Sequence, residues 1–136
     1  MIIEGIIVVA VLSLAFALFK AKQVSDKSIG NAKMAELSDM IHKGALTFLY
    51  KEYIILGVFL VVVAGLLFNF LGKEIAIAFV IGGLFSALAG NIGMRIATKA
   101  NARAAEGARK SVHEGLSIAF SSGSVMGFSV VGLGLL

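Results

Sequence analysis

The sequence predicts an all-α membrane protein with about four transmembrane helices, and three observations lead there. Hydrophobic residues fill 59% of 136 positions and mean hydropathy is +0.99, whereas a soluble domain carries roughly 45–50% apolar residues. Charged residues gather in blocks between long apolar runs instead of being scattered. Proline is absent while glycine occurs 16 times, and within apolar helices glycine lets two backbones approach closely. No cysteine is present, which excludes a disulfide framework and any thiolate metal site.

The first span is expected over about residues 2–21. Its uninterrupted part, GIIVVAVLSLAFALF at 5–19, would be about 22 Å long as a helix, so it needs its flanks to cross a hydrocarbon core of roughly 30 Å. A secretory signal places its positive charge before the apolar run. Here Lys20 and Lys22 follow it, so a retained helix is predicted.

Residues 22–53 read as a polar connection, with Lys27, Lys33, Lys43 and Lys51 set against Asp26, Glu36, Asp39 and Glu52. Within it Met34, Leu37, Ile41, Ala45 and Phe48 recur at intervals of three or four. That spacing predicts an amphipathic helix, capped by Ser28 or Asn31 and reaching Tyr50, that covers neighbouring segments. A second span follows over about 54–71, with Tyr53 as an interfacial anchor. Gly72-Lys73-Glu74 forms a turn short enough to send the third span, about 75–98, back antiparallel. The third helix is expected to leave the membrane and continue through Asn101 toward Arg109 inside a second polar connection, 99–115. A fourth span occupies about 116–136.

SALAGNIGMRIATKANAR at 86–103 carries two kinds of four-residue repeat. Gly82, Ser86 and Gly90 form one small-residue stripe and Ala89, Gly93 and Ala97 another, both suited to close helix packing. Arg95, Lys99 and Arg103 then place positive charge where the helix meets water. Ala119, Gly123 and Gly127 give the fourth span a similar small-residue stripe. Eleven of the twelve basic residues fall in the two polar connections or, as Lys20 and Arg95, at the span ends adjoining them, and only Lys73 lies on the other side. The positive-inside rule therefore makes both connections cytoplasmic and leaves the N-terminus and the Gly72 turn outside, with Arg95, Lys99 and Arg103 as topogenic residues.

No catalytic constellation is visible. An ion-carrying helix is expected to hold an ionisable group near mid-span, and none of the four does. Asn69 lies near a span end, and Asn91 suits an interhelical hydrogen bond. His42 and His113 sit in different connections without metal-ligand spacing and read as solvated or interfacial. The glycine pairs follow no strand and precede no Lys-Ser/Thr, so a phosphate loop is not supported. The basic stretch 99–110 is accounted for as a cytoplasmic flank, and no nucleic-acid partner is expected.

Three phrases in order, GALTFLYKEY at 44–53, SALAGNIGMRIATKANAR at 86–103 and GLSIAFSSGSVMG at 115–127, resemble the N-terminal region of the membrane-integral, ion-pumping inorganic pyrophosphatases. The resemblance implies a homodimeric pump whose subunits are bundles of about sixteen helices, set in a prokaryotic cell membrane. Such a pump hydrolyses pyrophosphate on the cytoplasmic side and exports protons or sodium ions. It also implies Mg²⁺, with K⁺ or Na⁺, the Mg²⁺ held by carboxylates among catalytic acidic and lysine side chains on later helices, whose aspartate-rich motifs this segment lacks. No catalytic, cofactor or metal residue is therefore carried over. The fourth run stops at Leu136 without a polar tail, so the chain is expected to be the N-terminal portion of a longer protein, packed on the remaining helices of its subunit and on lipid. The competing expectation is a small four-helix structural or assembly subunit.

Overall fold

A computed structural model describes residues 2–136 and contains four helices: α1 (Ile2–Ser25), α2 (Ala32–Phe70), α3 (Lys73–Lys110) and α4 (Val112–Leu135). All four are long and apolar enough to cross a membrane. They differ in length, 24, 39, 38 and 24 residues. At 1.5 Å per residue α2 and α3 are each nearly 60 Å long, about twice the hydrocarbon thickness, whereas α1 and α4 only slightly exceed it.

The separate amphipathic helix expected within 22–53 is therefore corrected. It is the first half of α2, continuous with the second span. Nothing in the sequence stops the helix there: no proline interrupts it, and Lys51-Glu52-Tyr53 marks a change of solvent but leaves the backbone hydrogen bonds unaffected. The apolar stripe that was expected to cover neighbouring segments is largely open, since Leu37, Ile41 and Phe48 are all exposed. The polar connection 99–115 is likewise almost entirely helical. Only Ser111 separates α3 from α4.

Local chemistry sets each boundary. Asn31 caps α2, its Oδ1 accepting from the Met34 N–H at 2.9 Å, while Ser28 shapes the preceding turn by accepting from the Gly30 N–H. Gly30 and Gly72 hold φ of +96° and +99°, a region costly for any side chain. Ser111 is extended, and its Oγ accepts from the Glu114 N–H at 3.1 Å. The sequence Ser111-Val112-His113-Glu114 is thus a helix-start signature of the Ser-x-x-Glu type.

The helices pack in the order α2–α3–α4–α1, with the end of α1 also reaching α3; α1 and α2 do not pack together. Residues Gly115, Ile118, Ser122, Val125, Ser129 and Gly132 are buried on α4, at alternating intervals of three and four. That spacing keeps one face toward antiparallel neighbours. On α1 the matching face is Ala10, Ser13, Ala17 and Val24, with Phe16 edge-on to Phe128 at 4.7 Å between ring centroids.

Candidate functional site

The polar end of the bundle holds a buried cluster of three helices and most of the inter-helix polar contacts. Val24 of α1, Ala100 of α3 and Ile118 of α4 form a buried cluster, with Ile96 and Ala104 against it. Small residues make that approach possible. A Cβ on Gly115 would lie 2.8–3.0 Å from Ala108, including its backbone, and one on Gly107 would lie 2.9 Å from Ile118. A side chain at Gly115 would have to move a helix, and one at Gly107 would have to displace the end of Ile118 and crowd the α4 backbone at 3.2 Å.

Arg103 joins α1 to α3 at this end. Its Nε donates to the Lys27 carbonyl at 2.9 Å, its Nη2 to the Ser25 carbonyl at 3.1 Å and its Nη1 to the Lys99 carbonyl of its own helix at 2.6 Å. A guanidinium on the last carbonyls of α1 satisfies acceptors that the helix leaves open and opposes the negative end of its dipole. Beside it, Gly30 packs against the Glu106 carboxylate, which pairs with Arg109 at 3.2 Å.

Two polar contacts register α2 on α3. His42 Nδ1 lies 2.9 Å from Thr98 Oγ1, and the Tyr53 hydroxyl donates to the Ala87 carbonyl at 2.8 Å. The partners are eleven residues apart on each helix, the same rise of about 16 Å, so the pair runs antiparallel in strict register. Thr98 Oγ1 also donates to the carbonyl of Met94 or Arg95. It has one proton, so with that proton on the backbone the imidazole must be the donor, protonated at Nδ1. His42, expected to be solvated or interfacial, is an inter-helix contact, on the same face as buried Leu49. Asn91 departs from expectation in the opposite direction. Its Oδ1 accepts from Arg95 Nε at 2.7 Å within α3 and not from another helix. Asn69 likewise bonds to its own helix, at the Gly65 carbonyl.

The six positions expected to pack helices separate cleanly. Gly93 meets α4, where a Cβ would lie 2.7 Å from Met126 Cγ. At Gly82, Gly90, Gly123 and Gly127 a Cβ would meet nothing within 4 Å. Gly82 and Ser86 line a cavity of about 550 Å³ with Ala78, Phe85, Val130 and Leu133, where α3 and α4 part toward their apolar ends. The close packing within this chain is made instead by Gly107, Gly115 and Gly132, and by Gly83, which faces Leu60. Sequence spacing missed these because a stripe of small residues identifies a helix face but not which neighbour faces it.

No group of three or more Asp, Glu or His able to hold a metal ion occurs among the described residues. Glu36, Asp39, Glu106 and Glu114 are already paired with Lys33, Lys43, Arg109 and Lys110. These residues do not fit a Mg²⁺ centre, and no step of metal chemistry is assigned to them. What the arrangement can do is mechanical: it fixes the helices together at a basic, polar end, while α3 and α4 part toward their apolar ends.

The family model for inorganic H⁺ pyrophosphatase matches residues 11–136. A protein of Clostridium tetani provisionally named a K(+)-stimulated pyrophosphate-energized sodium pump is 46% identical over 121 residues, 89% of this chain and 18% of that protein. The K(+)-stimulated pyrophosphate-energized sodium pump of Thermotoga maritima is 39% identical over 130 residues, covering 94% and 18%. The K(+)-insensitive pyrophosphate-energized proton pump of Methanosarcina mazei is 38% identical over 127 residues, covering 92% and 19%. The chain thus spans under one fifth of the length of these relatives. With a family model matched across all four of its membrane helices, the chain belongs to the inorganic H⁺ pyrophosphatase family.

Proposed function

We propose that this chain is a scaffold section of a pyrophosphate-energised pump, one that couples pyrophosphate hydrolysis on the cytoplasmic side to export of sodium ions or protons. The observation that carries the proposal is the family match across residues 11–136. Pumps of both ions occur among the relatives. The scaffold role is supported by side chains spent on helix caps and inter-helix contacts. Mg²⁺, with K⁺ or Na⁺, and the catalytic groups belong to residues outside this chain.

The proposed orientation places the N-terminus and the Gly72 turn outside and the Arg103 end in the cytoplasm, because eleven of twelve basic and six of eight acidic residues lie at that end. The chain has no cysteine, so a Lys73→Cys variant should react with an impermeant maleimide on intact cells. Reaction only after permeabilisation would reverse the orientation. For the function, the full-length protein in inside-out vesicles should hydrolyse Mg-pyrophosphate and acidify the lumen or load it with sodium, while residues 1–136 alone should release no phosphate. Hydrolysis without ion uptake, or phosphate release by the isolated segment, would overturn the proposal.

A further inference from the structure

The basic residues of α3 fall into two groups that differ in their partners. Arg109 pairs with Glu106 and Lys110 with Glu114. Arg95, Lys99 and Arg103, nearer the apolar part of the helix, have no carboxylate within ion-pair distance among the described residues. Arg103 is committed to the carbonyls that end α1. Arg95 uses only Nε, on Asn91, which leaves the two terminal nitrogens of its fork available. Lys99 contributes its carbonyl to Arg103, and its ammonium has no partner among the described residues.

Arg95 and Lys99 lie one turn apart and continue a stripe formed by Ile81, Leu84, Leu88 and Ile92. These recur at intervals of three or four and are all exposed, Leu84 and Leu88 by just over half. The small residues Gly82, Ser86 and Gly90 lie on a different side of α3. One exposed face of α3 is therefore apolar over about 16 Å from Ile81 to Ile92 and then doubly cationic. That length matches one leaflet of the hydrocarbon core, about 15 Å.

We infer that this face is a binding surface for an anionic phospholipid of the leaflet on the basic side of the membrane. The phosphate sits against the Arg95 fork and the Lys99 ammonium, and an acyl chain lies along Leu88, Leu84 and Ile81. A guanidinium suits two phosphate oxygens at once and a lysine supplies a mobile point charge. Because the outer pairs Arg109–Glu106 and Lys110–Glu114 are neutralised internally, selectivity should reside in the membrane-proximal pair alone. This surface does not depend on whether the protein hydrolyses pyrophosphate.

The test uses the full-length protein, purified in detergent with equimolar phosphatidylglycerol and phosphatidylcholine, and counts retained lipids by native mass spectrometry. The parent protein should retain phosphatidylglycerol preferentially. Each of Arg95→Gln and Lys99→Gln should reduce that preference about five-fold, equivalent to about 1 kcal/mol per basic residue at a lipid surface. Lys110→Gln should leave it unchanged, and Arg95→Lys with Lys99→Arg should retain most of it. Thermal unfolding of each variant, read alongside, separates loss of lipid from loss of fold. No preference in the parent protein, equal preference in Arg95→Gln/Lys99→Gln, or an equal drop with Lys110→Gln would overturn the inference. Displacement of the retained lipid by millimolar inorganic phosphate would also overturn it, because the surface would then be recognising a free anion.

Discussion

Along the α3–α4 interface the two ends use glycine in opposite ways. At the polar end Gly107 and Gly115 bring α3 and α4 so close that a single methyl group would meet backbone atoms, and a one-residue connection at Ser111 follows from that proximity. Toward the apolar end α3 and α4 part, and Gly82 and Ser86 line a cavity instead of a contact. The same residue type therefore reports a finished interface in one place and an open surface in the other. A small residue permits an approach; whether the approach occurs depends on where the neighbouring helix axis runs.

Substitutions can break this comparison, and the largest effect is expected where backbone opposes backbone. Gly115→Leu should cost about 3 kcal/mol by overpacking against Ala108, read as a large loss of thermal stability in detergent. Unchanged stability would mean that α3 and α4 are not this close. Arg103→Gln removes the hydrogen bonds that tie the end of α1 to α3. Because the side chain is partly exposed, the loss should be only about 1 kcal/mol, read by thermal unfolding in detergent. Unchanged stability would place the end of α1 elsewhere.

A smaller effect is expected between α2 and α3. Thr98→Val keeps the shape and removes the hydroxyl that His42 meets, and should cost about 1 kcal/mol. His42→Ala combined with Thr98→Val should add little further loss, since one contact cannot be lost twice. Full additivity would show that the two residues act separately. Gly82→Ala and Gly90→Ala should cause the smallest change. With nothing within 4 Å, replacing glycine inside a helix should leave stability unchanged or raise it by up to about 1 kcal/mol. Gly90→Leu extends the test: a marked loss in the full-length protein would mean that another helix of the subunit lies on this face. That outcome would turn the open stripe into an interface.

Much of this was legible from the chain. Apolar runs and charge blocks gave four helices, because in lipid every backbone polar group must be satisfied within its own segment. Asn31 was among the cap residues named, and the continuation of α3 past Arg103 followed from its alanines. The helix start at Val112 is announced by Ser111 and Glu114, whereas the hydropathy pattern marks only a membrane span at about 116–136. The unity of α2 was missed because a charged interval was treated as a break. Charge marks where water begins, and a helix passes through that boundary without interruption when no proline or cap intervenes.

The sequence by itself determined the solvent of each segment, the helical class and the charge asymmetry between the two ends, since these follow from side-chain transfer energies and backbone hydrogen bonding. Tertiary structure alone decided the order α2–α3–α4–α1, the use of Arg103 as a cap on a helix far from it in sequence, and the choice of Gly93, Gly107 and Gly115 over Gly82, Gly90 and Gly123 as contact points. Those outcomes depend on the crossing of helix axes, which is a property of pairs. A one-dimensional periodicity specifies a face and leaves its partner open.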